Sequence, residues 1–414
     1  MTTRQHPLGD ALYERACRVI PGGIYGHQNP AFLVEGAFPR FLVEADGCRV
    51  RDADGHEYID FLCSYGPMVL GYRDPVVEAA ADAQRRLCDS GNLPAPVMVE
   101  LAEKLVELTP GADWAMFAKN GSDVCTWALA VARKATGRDL VAMVDGTYHG
   151  IHGWCNPFET GFPDSERAGM VKFDWNDASA LEALFDQHPG RIAAVIVTPF
   201  RHEARYDSVM PAPGFLEKIR ALCTRHGAVM IVDDVRAGFR MHIGGSLQHF
   251  GVTPDMTVYS KAVANGYPLS VMLGREDLRR AAREVFVTGT FYTQAVPLAA
   301  ALATVSEIES RDAIAHMDRV GRRLCDGLAE RAAGHGLAVT LSGPPSIPFL
   351  SFQADEGGLA RSRTFAAEAA RRGAFFHPAH NWFVSAAHTD AHIDVALVAA
   401  EVAMAAVAAE FGRG

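Results

Sequence analysis

Two side chains, 28 positions apart, set the chemistry this chain can do. Lys261 lies in Met256-Thr-Val-Tyr-Ser-Lys-Ala-Val-Ala-Asn-Gly-Tyr-Pro, just after a short apolar run. Asp233 ends another such run, Ala228-Val-Met-Ile-Val, and is followed by Asp234 and Val235. A lysine able to form a Schiff base and an acid able to hold a protonated pyridine nitrogen are the two groups that pyridoxal phosphate chemistry asks of a protein. Such a lysine would also act as the base that moves a proton between the substrate Cα and the cofactor. The small residues Ala262, Ala264 and Gly266 beside Lys261 suit close backbone approach and argue against an ordinary surface lysine. For Asp233 the other readings are a metal site or an ion pair with Arg236 or Arg240.

The elements around these residues predict an α/β fold. Between about 75 and 300, helical stretches such as Val97–Leu108 and Ser122–Ala135 alternate with short apolar runs. Those runs are Ala115–Ala118, Leu140–Val144, Ala193–Val197, Ala228–Val232, Met256–Tyr259 and Leu269–Leu273. Alternation of this kind implies a mostly parallel sheet covered by helices, whose ligands gather at the carboxyl ends of the strands. Residues 39–62 instead read as antiparallel strands with Asp-Gly turns at 46–47 and 54–55. After residue 300, alanine-rich helices precede strands near Ala338–Leu341 and Pro348–Phe352, then a final helix over Ala391–Phe411. The expected division is 1–74 as the N-terminal part of a small α+β lobe, 75–309 as the large domain and 310–414 as the C-terminal small domain.

Further motifs fall where those strands end. Asn120-Gly-Ser-Asp123 follows Trp114–Ala118 and opens a helix, so Gly121 and Ser122 present unpaired amides to a phosphate. An ordinary helix cap accounts for the same residues. Tyr148 and His149, in Asp145-Gly-Thr-Tyr-His-Gly150, follow Leu140–Val144 and could meet the face and edge of a bound ring. Val235 could pack on the ring's other face.

Composition bounds the rest. A net charge of −10 without a lysine/arginine block disfavours a nucleic-acid surface. The apolar runs are interrupted, which predicts no membrane span, and the start Met-Thr-Thr-Arg-Gln-His-Pro has no signal-peptide core, so a cytoplasmic location is expected. Eight scattered cysteines without a Cys-x-x-Cys pair suggest neither disulfides nor a zinc ribbon, and no metal is expected.

Taken together, the motifs resemble the class III, fold type I pyridoxal-phosphate aminotransferases, in the branch containing glutamate-1-semialdehyde aminomutase. The likeness runs from Ile20-Pro-Gly-Gly23 and Asp52-Ala-Asp-Gly-His-Glu-Tyr-Ile-Asp-Phe61 through Gly121-Ser-Asp, Tyr148-His-Gly, Asp233-Asp-Val-Arg-Ala-Gly-Phe-Arg and Ser260-Lys-Ala-Val-Ala-Asn-Gly-Tyr-Pro to Ala387-His-Thr-Asp-Ala-His-Ile-Asp394. The resemblance implies a homodimer with shared cofactor sites. Gly121 and Ser122 would bind the phosphate within one chain, and Thr290 would reach the partner subunit's cofactor. Tyr148 would stack, Asp233 would hold the ring nitrogen and Lys261 would form the aldimine. The implied reaction is ping-pong transfer of an amino group from an amine or amino acid to a carbonyl acceptor. A single-substrate aminomutase or racemase/epimerase is the alternative, followed by a decarboxylating transaminase and by a non-catalytic relative.

The departures concern the substrate. Asn29 stands where the aminomutases carry an arginine for the substrate carboxylate, and His380 where they carry a glutamate. The segment after Gly150 reads as shorter than the aminomutase gating loop and holds Trp154, Phe158 and Phe162. Tyr292 and Thr293 replace the usual Gly-Gly after the interface threonine, and would narrow the entrance. Tyr25, Asn29, Tyr65, Tyr292, His380 and Trp382 are the expected substrate-pocket residues, with Arg201, Arg205 or Arg236 as candidate carboxylate anchors. A structural ion pair is the other reading for each arginine.

Overall fold

The structure, a computed structural model, describes residues 4–157, 161–353, 355 and 359–412. Two compact units account for the chain. One comprises residues 75–203 and 209–314; the other comprises residues 1–74, 204–208 and 315–414. The short piece 204–208 therefore leaves the span expected for the large domain.

Thirteen strands are present among the described residues: β1 Leu42–Asp46, β2 Arg49–Asp52, β3 Glu57–Asp60, β4 Trp114–Ala118, β5 Leu140–Val144, β6 Met170–Phe173, β7 Ile192–Val197, β8 Val229–Asp233, β9 Met256–Tyr259, β10 Ser270–Gly274, β11 Val339–Ser342, β12 Phe349–Phe352 and β13 Ala374–Phe375. The larger unit is built on a seven-stranded sheet in the order β4-β10-β9-β8-β7-β5-β6. Strand β10 pairs antiparallel with both β4 and β9, while the pairs β5–β6, β5–β7, β7–β8 and β8–β9 are parallel. Only β10 is thus reversed, and the loops that follow β4, β5, β7, β8 and β9 leave the sheet on one edge. Strand β6 has no counterpart among the apolar runs, because Met-Val-Lys-Phe at the sheet edge is only partly buried.

Every residue of β5, β7, β8 and β9 is buried, as strands covered on both faces must be. Alternation along β8 then sorts its side chains. Val229 and Ile231 join a core with the helix Gly121–Thr136, whereas Met230 and Val232 join one with the helices Ala178–Gln187 and Phe215–His226. Asp233 continues the first series, so it points to the side occupied by the helix Gly121–Thr136.

The other unit holds a four-stranded sheet, β1-β2-β3-β13, with β13 parallel to β3, and the antiparallel hairpin β11-β12. Its core gathers Phe38, Val50, Tyr58 and Phe375 with small residues of the helix Ala360–Arg371. The helix Asp390–Phe411 is long and apolar enough to cross a membrane by length and composition, which the interrupted runs had hidden. Here it buries Ile393, Leu397, Ala400 and Met404, and Gly327 lets it come so close that an added Cβ would lie 2.5 Å from Leu397 Cδ1.

Candidate active site

The strand ends of the larger unit converge on Asp233 and Lys261. Asp233 is 6% exposed, and its Oδ2 lies 2.7 Å from His149 Nδ1 while Oδ1 accepts from the Val235 amide at 3.1 Å. An ionised carboxylate has about four acceptor positions, so capacity remains for a further donor. At the far side of the imidazole, Nε2 faces Thr147 Oγ1 at 3.1 Å; that hydroxyl donates to Val144 O at 2.7 Å. The ring is therefore pinned at both ends, and Trp154 stacks on it with centroids 6.0 Å apart and planes 16° apart. Trp154 is itself tied by Nε1 to Thr126 Oγ1 at 2.9 Å.

The neighbouring acid has a different environment. Asp234 is fully buried and accepts from Ser246 N at 2.7 Å and Ser246 Oγ at 2.6 Å. Burial, reinforced by the charge of Asp233, pushes its carboxyl up to about 7. Asp234 braces the loop and leaves Asp233 as the acid of the site.

Lys261 follows β9 in a left-handed conformation, φ +51°. That backbone is costly for a residue with a Cβ, by about 1–2 kcal/mol, and it aims the residue out of the strand direction. Burial pushes its ammonium down to about 7; the Arg236 guanidinium adds to the push and Asp233 opposes it. Arg236 donates to His202 O at 2.9 Å, and burial lowers it to about 10. The His202 imidazole is held well below its ordinary value by burial and by Arg236. An amine that sheds its proton near neutrality is a nucleophile and a base. Sequence reading passed over His202 and Thr147, although both lie in loops directly after buried strands.

The helix Gly121–Thr136 presents its first turn beside Val235. A Cβ at Gly121 would sit 2.9 Å from Val235 Cγ1, so glycine is what allows this approach. Ser122 Oγ accepts from Ile151 N at 3.1 Å, and a Cβ on Gly150 would collide with that oxygen at 2.4 Å. The helix-cap reading belongs to Asp123, which accepts from Asn120 N at 2.9 Å. Bare helix-start amides, a recessed lysine and a buried carboxylate with open acceptor capacity fit pyridoxal phosphate: phosphate at Gly121 and Ser122, ring nitrogen at Asp233, aldehyde carbon at Lys261. Tyr148, half-buried, feels both Arg236 and Asp233, though burial is the main cause of its raised phenol.

The residues expected around the substrate fare less uniformly. Arg201 Nε is paired with Glu203 Oε2 at 2.9 Å, which is the ion-pair reading for this arginine. Thr290 is exposed, on the segment between the helices Arg279–Glu284 and Ala295–Ser310. Tyr292, expected to narrow an entrance, packs its ring edge-on against Trp127 at 5.1 Å. In the other unit Tyr25 is 75% exposed, and Asn29 spends its side-chain oxygen on Ala31 N at 3.0 Å as a local cap. Trp382 is a core residue, 2% exposed, with Nε1 donating to His377 O at 2.9 Å and its ring against Phe376; it is not a pocket residue. Tyr65 and His380 do come together, with ring centroids 5.2 Å apart. Arg205 is held by its backbone to Ala379 O at 2.8 Å. Phe158 lies outside the described residues. The eight cysteines are all free, and Cys125, next to Asp233, is a buried thiol pushed far up by burial.

Comparison with known proteins gives one answer. The family model for class III aminotransferases matches residues 34–343. The chain is 43% identical to an aminopentol aminotransferase of Sphingopyxis macrogoltabida over 97% of its own length and 94% of that protein. It is 35% identical to a 3-aminobutyryl-CoA aminotransferase of Cloacimonas acidaminovorans (strain Evry), over 92% of each chain. Among solved structures, the FumI protein of Sphingopyxis sp. MTA144 in its PLP internal aldimine form superposes with a TM-score of 0.96 at 42% identity, covering 97% of both chains.

Proposed function

The chain belongs to the class III aminotransferases and works with pyridoxal phosphate, and from that premise we propose how its residues divide the work and which amine they serve. When bound, the cofactor supplies an electron sink for the substrate carbon that loses its proton. Lys261 would hold the cofactor's aldehyde carbon, and its Nζ, as a free amine, would move a proton at the substrate carbon. Asp233 would hold the ring nitrogen in its protonated form, and His149 holds that carboxylate in place through its Nδ1. The amides of Gly121 and Ser122 seat the phosphate, while Tyr148 and Val235 confine the ring. The observation that carries this division is the geometry around Asp233, one carboxylate bonded to His149 and Val235 N beside a lysine lowered to about 7.

The donor proposed is an amine whose reacting carbon bears no carboxylate, an amino alcohol in particular. Two facts support it: the 43% identical relative is an aminopentol aminotransferase, and Arg201 is already engaged by Glu203. The enzyme is also proposed to act as a homodimer in which Thr290 serves the partner's cofactor phosphate.

The deciding experiment follows the visible absorption of the bound cofactor while amines are added without an acceptor. Long-chain amino alcohols should convert the cofactor to its amine form and release a carbonyl product, whereas α-amino acids should do so far more slowly. Faster conversion by α-amino acids would overturn the substrate reading and leave the reaction class intact. Subunit mixing tests the dimer: Lys261→Ala and Thr290→Ala chains combined should recover activity that neither has alone.

A further inference from the structure

Outside the cofactor site, one group of side chains has the composition and spacing of a cation site. In the unit that contains residues 1–74, His6, Asp52 and His56 each bring one donor atom within 4.8 Å of the others. His56 Nδ1 hydrogen-bonds to Asp52 Oδ2 at 3.0 Å, and His6 Nδ1 lies 3.2 Å from the same oxygen. These separations fall just inside the roughly 3.4 Å edge of a tetrahedron drawn at zinc–ligand lengths. The two rings stand at 84° to each other, centroids 5.2 Å apart.

Three features distinguish this group from a chance contact. Asp52 is 1% exposed, and among the described residues its ion-pair partners are the two imidazoles alone, which supply a compensating charge only when protonated. His6 is 6% exposed, yet neither of its ring nitrogens makes a hydrogen bond; Nδ1 is near Asp52 but misaligned for donation. A buried imidazole without a hydrogen-bond partner calls for an explanation, and a bound ion is one that the neighbouring donors fit. The carboxylate is also locked from behind. Its Oδ1 accepts from His56 N at 2.8 Å and Asp54 N at 3.0 Å, and Oδ2 accepts from Tyr58 Oη at 3.0 Å. Such outer bonds orient a ligand before the metal arrives. An entry path exists, since His56 lines a cleft of about 1180 Å3 together with Arg4, Asp54 and Arg372.

We propose that His6, Asp52 and His56 form a binding site for a divalent transition-metal cation, zinc by ligand type, with its fourth position open to the cleft. Imidazole and carboxylate donors select Zn2+, Co2+ or Ni2+ over Mg2+ and Ca2+. The site joins the N-terminal segment to the β2–β3 turn. The basic side chains Arg4 and Arg372 on the cleft favour the open fourth position being filled by water or an anion.

The test uses the full-length holoenzyme, treated with chelator and then dialysed against Zn2+ or Co2+. One ion per chain should be retained by elemental analysis, Co2+ should give a visible d–d absorption, and Zn2+ at a hundredfold excess over Kd should raise Tm by about 3 °C. His56→Ala and His6→Ala should each weaken uptake at least tenfold, with the visible absorption of the cofactor unchanged. If the His6 variant fails to fold, wild type and His56→Ala decide between them. No stoichiometric uptake by wild type, or uptake that survives both substitutions, overturns the site.

Discussion

The group around Asp233 and the group around Tyr65 are both built from loops, yet they are built differently. Asp233, Lys261 and His149 sit within a few residues of buried strands that run the same way, so sheet geometry brings them to one edge. The Tyr65 group hangs on an irregular turn that follows β3 rather than on the ends of parallel strands. Cys63, Ser64 and Tyr65 have φ of +48°, +56° and +65° in succession, a run rare for residues with side chains. It is held by Asp60, whose buried carboxylate accepts from Leu62 N at 2.8 Å, Cys63 N at 3.0 Å and Tyr72 Oη at 2.7 Å. Tyr65 then donates to His27 O at 2.5 Å and faces His380 and His377, the latter lowered to about 4 by burial. One group positions charge by regular structure; the other positions uncharged donors and acceptors by stored backbone strain.

The contrast breaks most sharply at Lys261. Lys261→Ala should lower kcat/KM by roughly ten-thousand-fold with the fold intact by circular dichroism. Activity within tenfold of wild type would remove this lysine from the chemistry. Next comes Trp382, now assigned to the core. Trp382→Ala should cost about 3–5 kcal/mol of stability, read from denaturant unfolding, while KM for the amine stays within a few-fold in the folded fraction. A large KM change at unchanged stability would return Trp382 to the substrate side.

A pH experiment isolates the electrostatics of the first group. Because Lys261 is pushed down to about 7, its free amine predominates above that pH and its ammonium below it. Capture of pyridoxal phosphate by the apo-protein should therefore accelerate as pH rises through about 7, rather than near the ordinary lysine value of 10.5. Arg236→Gln removes a like charge and should move that midpoint upward. An unmoved midpoint would assign the whole effect to burial. The smallest effect belongs to the strained turn: Ser64→Gly should add about 1 kcal/mol of stability, seen as a slight rise in Tm. A loss would mean that the serine side chain, not the strain, matters there.

What could be read in the sequence follows from the same physics. The apolar runs at 115–118, 140–144, 193–197, 228–232, 256–259 and 269–273 coincide with strands to within a residue, because a strand buried on both faces is written as a continuous apolar run. Partly exposed β6 carries no such mark. The acid and lysine of the site were legible because strand ends fix them in sequence as well as in space. The sequence named Asp233 as the acid but not what occupies its neighbour; Asp234 is taken up by Ser246.

The sequence by itself determined the α/β plan, the motif order and the lysine–acid pair, all of which depend on local periodicity and short spacings. Only the tertiary structure decided the rest. Asn29 became a cap, Arg201 an ion-pair partner and Trp382 a core residue because each is claimed by contacts that spacing alone does not specify. His6 meets Asp52 and His56 for the same reason: their approach depends on how the N-terminal segment packs, and no local pattern of residues encodes it.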